Sequence, residues 1–274
     1  MLICVVGLGE IGMSTAKYSR DKGLKVFGYD INEDAAKRAS QQGIRAFFEW
    51  QKVPDVDVYV ICVSTWNVSG QPDLSAVFEI SKKISSKTNK GSLVSIESTI
   101  FPGTSRKIYN SIFHGGVKLV HVPHRYWADD PVNHGVRQRR VIGAVNQDSL
   151  ESGKEFYSNL LDIHLHEVSS IEESEMCKIS ENAYRYVQIA FAEELKMICE
   201  DMALDFEEVR EACNTKWNTE ILDARGGIQG KCLPKDRASL ASLSEHNTLL
   251  EASKKVDEQY LEWLRSRKRS AVSH

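Results

Sequence analysis

Paired cysteines are missing from this sequence. Its six cysteines, Cys4, Cys62, Cys177, Cys199, Cys213 and Cys232, form no CxxC pair. That usage reads as a reducing compartment rather than a disulfide framework, with the cytoplasm as the expected location. Cys4 and Cys62 fall inside apolar runs, where cysteine acts as a small buried hydrophobe. No apolar run is long enough to span a bilayer, and no basic leader precedes the opening LICVV. A charge excess is also missing. The 35 basic and 38 acidic residues leave a formal charge of -3, which gives no global reason to expect nucleic acid or an anionic membrane as partner. The run RSRKRS from Arg265 is a local exception and reads as a solvated helix end or tail. No internal repeat or low-complexity stretch is present.

The 274 residues suffice for one large domain or two small ones, with a sizeable core. Short apolar runs at 2–6, 25–29, 56–63, 92–97, 117–122, 140–145 and 163–168 read as strands, several of them continuous and β-branched. Such runs suit strands covered on both faces. Helical patterns lie between many of them, at 10–22, 33–42, 74–86 and 103–113. This alternation predicts a Rossmann-type α/β domain, doubly wound on a mostly parallel sheet, over residues 1–169. The pattern then changes. Ser170 with Glu173 fits a capping box, and 171–203 contains no glycine or proline while repeating apolar residues at helical spacing. A helix of about 30 residues would run about 45 Å. Further helical patterns at 205–214 and 234–268 complete an all-helical second domain over 170–274.

VVGLGEIG places Gly7, Gly9 and Gly12 directly after the first strand and at the start of a helix. The first glycine permits a tight turn, the second lets a pyrophosphate approach the backbone, and the third lets helix and strand pack closely. The helix N-terminus offers the phosphates unpaired N–H groups and a positive dipole end. Asp30 closes the second strand, where its carboxylate can accept from ribose hydroxyls and would repel a 2′-phosphate. NAD is therefore the expected cofactor over NADP. FAD shares this fingerprint, and a purely structural glycine turn with a helix-capping aspartate is the bland alternative.

Two further stretches carry chemistry. Lys178 and Asn182 lie at i and i+4 in EMCKISENAYR and share a helix face. They are either a pair aimed at one substrate hydroxyl or a solvated polar pair near a helix start. In GGIQGKCLPKD, three glycines precede Cys232, with Lys231, Lys235 and Asp236 beside it. The thiol is either a nucleophile among cations or an ordinary cysteine in a glycine-rich turn.

Over most of residues 1–260 the sequence resembles the UDP-glucose/GDP-mannose dehydrogenases. The stretches that carry the resemblance are GLGEIG, YDIN, ESTIFPGT, KISENAYRYVQIAFAEELKMICED and GIQGKCLPKD. It implies oxidation of the C6 alcohol of a nucleotide sugar to a carboxylate with two NAD, in polysaccharide biosynthesis. It implies Cys232 as nucleophile, and Lys178, Asn182 and Asp236 handling the substrate hydroxyl, the oxyanion and the water. Thr99 would sit near the nicotinamide and the reacting carbon. Cofactor contacts are expected at Gly7, Gly9, Glu10, Ile11, Gly12, Asp30, Val63, Ser64, Thr65, Glu97 and Ser98. Substrate contacts are expected at His124, Arg125, Gly230 and Lys235. The chemistry is coherent in itself. A thiolate adding to an aldehyde gives a thiohemiacetal, which again carries a transferable hydride and becomes a thioester on losing it. A lysine ammonium and an amide N–H₂ can stabilise the developing negative oxygen.

Three features depart from the family pattern. The resemblance covers the family's first two domains and not its third, C-terminal one. His124 stands where many members have glutamate, and acts as a base, as an anion-binding group or as a loop stabiliser. Gln229 replaces a common glycine, which matters if that position needs positive φ. His121 and His124 form an H-x-x-H, but no further ligands at a familiar spacing accompany them, so no metal is expected. Two other functions compete: a two-electron β-hydroxyacid or 6-phosphogluconate type of dehydrogenase, and an NAD-binding subunit without turnover. The breadth of the apolar stripe on the long helix, widened by Tyr186, Phe191 and Ile198, predicts a homodimer through that helix. Burial by the chain's own later helices is the alternative.

Overall fold

Strand β1, Leu2–Val6, shows why a continuous apolar run is needed here. Cys4 and Val6 join one hydrophobic cluster, while Ile3 and Val5 join another. Successive side chains of a strand point to opposite faces, so both faces of the sheet are covered. The structure, a computed structural model, describes residues 1–67, 70–88, 91–127, 129–131 and 134–272, with the side chains of 268–272 left aside. It divides into two compact units, Met1–Lys178 and Ile179–His274.

In the first unit β1 is joined by β2 (Lys25–Tyr29), β3 (Arg45–Phe47), β4 (Val58–Ile61), β5 (Leu93–Ile96), β6 (Lys118–His121), β7 (Arg140–Ala144) and β8 (Leu165–Glu167). The order is β3-β2-β1-β4-β5-β6-β7-β8. All pairings are parallel except β6 with β7. The reversal between β1 and β4 is the topological switch point at which this fold binds nucleotides. Helices α1 (Glu10–Asp21), α2 (Glu33–Gln41) and α5 (Gln147–Lys154) belong to the unit, with α5 continuing as a π-helical turn, Glu155–Leu160. Ala16, Ala35, Ala39, Phe156 and Tyr157 cover the Ile3/Val5 face. Helices α3 (Ser75–Ser85) and α4 (Thr104–Ser111) cover the other face through Val77, Ile80, Ile84 and Ile108.

Helix α6, Ile171–Asp201, is the long helix. Its start carries the expected capping box. The Ser170 N–H donates to Glu173 Oε2 at 2.7 Å, and the Glu173 N–H donates to Ser170 Oγ at 3.3 Å. In the second unit α7 (Phe206–Asn214), α8 (Cys232–Ala241) and α9 (Thr248–Val272) follow. The single helical pattern expected at 234–268 is thus two helices. Between them Asn247 Nδ2 donates to the Ala241 carbonyl while its own carbonyl accepts from Glu251 N, so Asn247 closes one helix and opens the next. Ala192, Cys199, Phe206, Ile221, Ala224 and Tyr260 form one apolar cluster, and Tyr186, Ala190 and Ile228 a second. The basic run from Arg265 lies in the last turns of α9, where Arg267 pairs with Glu200. Its side chains from Lys268 onward lie outside the described residues.

Candidate active site

The turn between β1 and α1 is built on close approach. Gly7 has φ +87°, and a Cβ on Gly12 would lie 1.8 Å from the Gly7 carbonyl oxygen. Gly9, the N-cap of α1, is different: a Cβ there would meet no protein atom within 4 Å. The first and third glycines answer to the protein's own packing, and the second opens onto space for a ligand. Beside it lies a cavity of about 360 Å³ lined by Gly7, Gly9, Asp30, Val63, Ser64 and Lys83 among others. Asp30 is held on both oxygens. Oδ2 accepts from Leu8 N at 2.7 Å and Oδ1 from Asn32 N at 2.8 Å. Each carboxylate oxygen retains a second lone pair for a ribose hydroxyl. A glycine turn at a helix N-terminus, an oriented carboxylate and an open cavity fit a dinucleotide.

Of the other expected cofactor residues, Glu10 and Ile11 open α1, and Thr65 is buried. Ser98 is tied to the end of β4 by donating to the Val63 carbonyl at 2.7 Å. Thr99 is half-buried beside it.

The surroundings of Glu97 were not legible from the residues near it in the chain. Its side chain is completely buried and anchors a closed polar cluster. Arg140 NH1 and the Tyr157 hydroxyl donate to Oε1 at 2.8 and 2.7 Å, and Thr15 Oγ1 donates to Oε2 at 3.2 Å. Burial opposes the carboxylate, but Arg140, with the Tyr157 hydroxyl, outweighs it and holds Glu97 well below the usual range. His124 belongs to this cluster. Arg140 NH2 donates to its Nε2 at 3.0 Å. A guanidinium only donates, so the proton of the neutral ring is assigned to Nδ1. The 3.0 Å approach of Glu97 Oε2 to the same Nε2 is then a contact without a shared proton. Burial first, then Arg140, lowers His124 to about 4. Nδ1 is buried without a hydrogen-bond partner. Arg125, next in sequence, donates to the Arg139 carbonyl at 2.8 Å. Of the stretch HVPHRYWADDPVNHG, Ala128, Val132 and Asn133 lie outside the described residues.

In the second unit three expected residues meet. Asn182 Nδ2 donates to Asp236 Oδ2 at 2.5 Å, and Lys235 Nζ lies 2.6 Å from Asp236 Oδ1. The Lys235 contact is an ion pair whose angles fall outside hydrogen-bond geometry, since Oδ1 has no hydrogen-bond partner. Asp236 is 1% exposed. Cys232 is exposed and opens α8, four residues before Asp236 and on the same helix face. Pro234 sits in the first turn, where a missing N–H costs nothing. An anion on the Cys232 sulfur would face the positive end of the α8 dipole. The Lys235 ammonium is directed at Asp236 rather than left for the thiol alone. Gly227 and Gly230 take positive φ, whereas Gln229 does not, so the departure at 229 requires no strained backbone. Lys178 lies one turn before Asn182 on α6. Among the described residues no group of three or more His, Cys, Asp or Glu side chains is arranged to hold a metal ion.

Sequence reasoning missed Arg140, Tyr157 and Glu175. The one available signal was Arg140, a charge opening an otherwise apolar strand.

Comparison with known proteins follows the same division. The UDP-glucose/GDP-mannose dehydrogenase family's NAD binding domain matches residues 37–161, and its central domain matches residues 172–259. The glycine fingerprint itself precedes the matched residues. A UDP-N-acetyl-D-mannosamine dehydrogenase of Methanococcus vannielii is 27% identical over 94% of this chain and 65% of its own length. An NDP-N-acetyl-D-galactosaminuronic acid dehydrogenase of Ralstonia nicotianae is 28% identical over 85% of this chain and 63% of its own length. The solved structure of a UDP-D-ManNAc dehydrogenase from Pyrococcus horikoshii superposes with TM-score 0.90 at 26% identity, covering 100% of this chain and 72% of that one. The chain thus spans about 65% of the length of the curated relatives it matches. With the Rossmann sheet, the nucleotide crevice of an NAD-binding domain and a matching helical unit in sequence, the chain belongs to the UDP-glucose/GDP-mannose dehydrogenase family.

Proposed function

We propose that the chain oxidises the primary alcohol of a nucleotide sugar to the carboxylate, with NAD as cofactor and Cys232 as covalent nucleophile. The observation that carries this reading is the Asn182–Asp236–Lys235 contact one turn from an exposed Cys232. The relatives named for UDP-N-acetyl-D-mannosamine make a UDP-N-acetylhexosamine the first substrate to test.

Gly7, Gly9, Asp30, Val63 and Ser64 would hold NAD, which when bound accepts a hydride from the substrate carbon. The chain's residues do the rest. As the alcohol is oxidised, its proton leaves to the Asp236 carboxylate, which Asn182 and Lys235 hold in place. Asn182 Nδ2 has two N–H groups. One is on Asp236, and the other, with the Lys178 ammonium, stabilises negative charge on the substrate oxygen. The Cys232 thiolate then adds to the aldehyde carbon, forming a C–S bond and a thiohemiacetal. Asp236 releases its proton to solvent, and loss of a second hydride, to a second NAD taken up after the first has left reduced, would give the thioester, with the thiohemiacetal hydroxyl proton passing to Asp236 and on to solvent. Water activated by Asp236 cleaves the C–S bond, releasing the acid and the thiol.

The test is Cys232→Ala with a UDP-N-acetylhexosamine and NAD. Loss of acid formation, with NAD still binding to the folded variant, is expected. Undiminished acid formation removes the thioester. NAD binding without reduction across a panel of nucleotide sugars, by wild type, makes the chain a cofactor-binding subunit instead.

The assembly we infer is a homodimer. Tyr184, Phe191 and Ile198 recur every seven residues on α6 and are 65%, 54% and 49% exposed, with Met202 beyond them. Large apolar side chains at that spacing form a seam that a second copy would cover. Light scattering at micromolar concentration should give twice the chain mass, and a monomer refutes the dimer. We place the protein in the cytoplasm, on six cysteines none of which is in a disulfide. No described helix is long and apolar enough to cross a membrane.

A further inference from the structure

The loop Ser98–Ser105 and the first turns of α6 are joined by three side chains that no step above uses. Glu175 is completely buried. Its Oε2 accepts from Gly103 N at 2.6 Å and its Oε1 from Ser105 N at 2.8 Å. Gly103 is the N-cap of α4 and has no side chain to cap with, so a carboxylate from another helix takes that part. One residue earlier, Ser174 Oγ lies 2.5 Å from His121 Nδ1. His121 Nε2 lies 3.2 Å from the Ser98 carbonyl oxygen. A carbonyl only accepts, so Nε2 carries the ring proton and Nδ1 takes the serine hydroxyl's.

Lys178 follows Ser174 by four residues and Glu175 by three, which places all three on one side of α6. Its charge reaches the His121 ring: after burial, Lys178 also disfavours protonation there. At the other end of the loop Ser98 Oγ donates to the Val63 carbonyl, and Val63 lines the cofactor cavity. Thr99 therefore sits between a point fixed by His121 and Val63 and a point fixed by Glu175.

We propose that Glu175 is a positioning residue which, with Ser174 and His121, sets the register of α6 against the Ser98–Ser105 loop and so the place of Lys178 relative to Thr99. The proposal rests on the role given to Lys178 above. A displacement of about 1 Å in a positioned group can cost about 100-fold in rate.

Glu175→Ala should lower kcat by about that factor while KM for NAD changes less than about two-fold. The primary deuterium isotope effect on the hydride step should rise. Glu175→Gln, which keeps one acceptor oxygen, should recover part of the rate and serves if the alanine variant does not fold. Glu173→Ala is the control. It removes part of the α6 cap on the exposed side, and should lower Tm without moving kcat or the isotope effect. A folded Glu175→Ala variant with wild-type kcat, or one whose kcat and KM for NAD shift together, overturns the proposal. A second readout needs no turnover: the rate of reductive methylation at Lys178, followed by peptide mass spectrometry. It should change in Glu175→Ala relative to Lys154, and an unchanged ratio overturns the proposal. A wild type without dehydrogenase activity counts against the proposed function alone, and the labelling result still decides the positioning role.

Discussion

The two units each contain a buried carboxylate held by a cation, in different surroundings. Glu97 in the first unit is enclosed, with Arg140, Tyr157 and Thr15 donating to its oxygens. Asp236 in the second unit is as deeply buried and is held by Asn182 of α6 and Lys235, yet it lies one turn of α8 from an exposed thiol. A buried ion pair returns little net stability when its desolvation is counted, but losing one partner leaves an uncompensated charge. The first cluster is therefore expected to answer in stability and the second in rate.

The largest effect should come from Arg140→Met, which strands Glu97. It should destabilise the fold by about 3–5 kcal/mol, a fall in Tm of roughly 10 °C at about 2–4 °C per kcal/mol. Thermal unfolding with and without Glu97→Gln sharpens the point. The double variant should regain much of the loss, and equal damage in both would mean that the ion pair is not the cause.

Asn182→Ala should behave in the opposite way. Loss of one oxyanion donor typically costs about 10²–10³ in kcat, while Tm should fall by less than in Arg140→Met, because Lys235 still neutralises the buried Asp236 carboxylate. Steady-state kinetics beside a melting curve would show whether rate and stability separate here as they do not at Arg140.

Acid should act on the first unit. His121 and His124 are held neutral, chiefly by burial, with pKa lowered from 6.5 to about 4. As pH falls, the unfolded chain takes up these protons first. The stability they reflect is complete above about 6.5 and lost as pH falls towards 4, by up to about 3 kcal/mol for each ring. Glu97, with its pKa held low, loses its contribution below the usual carboxylate range as well. Urea unfolding at pH 7 and pH 5 should show the decline, and His124→Asn should flatten it. The smallest effect is that of Ser170→Ala, which removes the α6 cap and should cost about 1 kcal/mol with no change in kcat.

How much of this was legible in the sequence depends on whether a feature is local. Strands β1 and β2 fall where their apolar runs end, and the capping box and glycine turn are local hydrogen-bonding patterns. Strand β3 escaped because three residues, partly exposed, carry no periodic signal. The break between α8 and α9 escaped because Asn247 interrupts a stretch whose composition is otherwise helical. Asn182 and Asp236 were both singled out through the resemblance, without their contact. Their meeting in space depends on α6 and α8 packing, since Asn182 and Asp236 are 54 residues apart. The Glu97 cluster was not legible: it joins α1, β5, β7 and the π-helical turn, and a charge at a strand end looks solvated until those elements close over it.

The most direct test is the number of NADH molecules formed per UDP-N-acetylhexosamine consumed, with the sugar product identified by mass spectrometry. Two NADH and a carboxylate are predicted. One NADH with an aldehyde or ketone as the end product would contradict the covalent role of Cys232 and leave a two-electron dehydrogenase in its place.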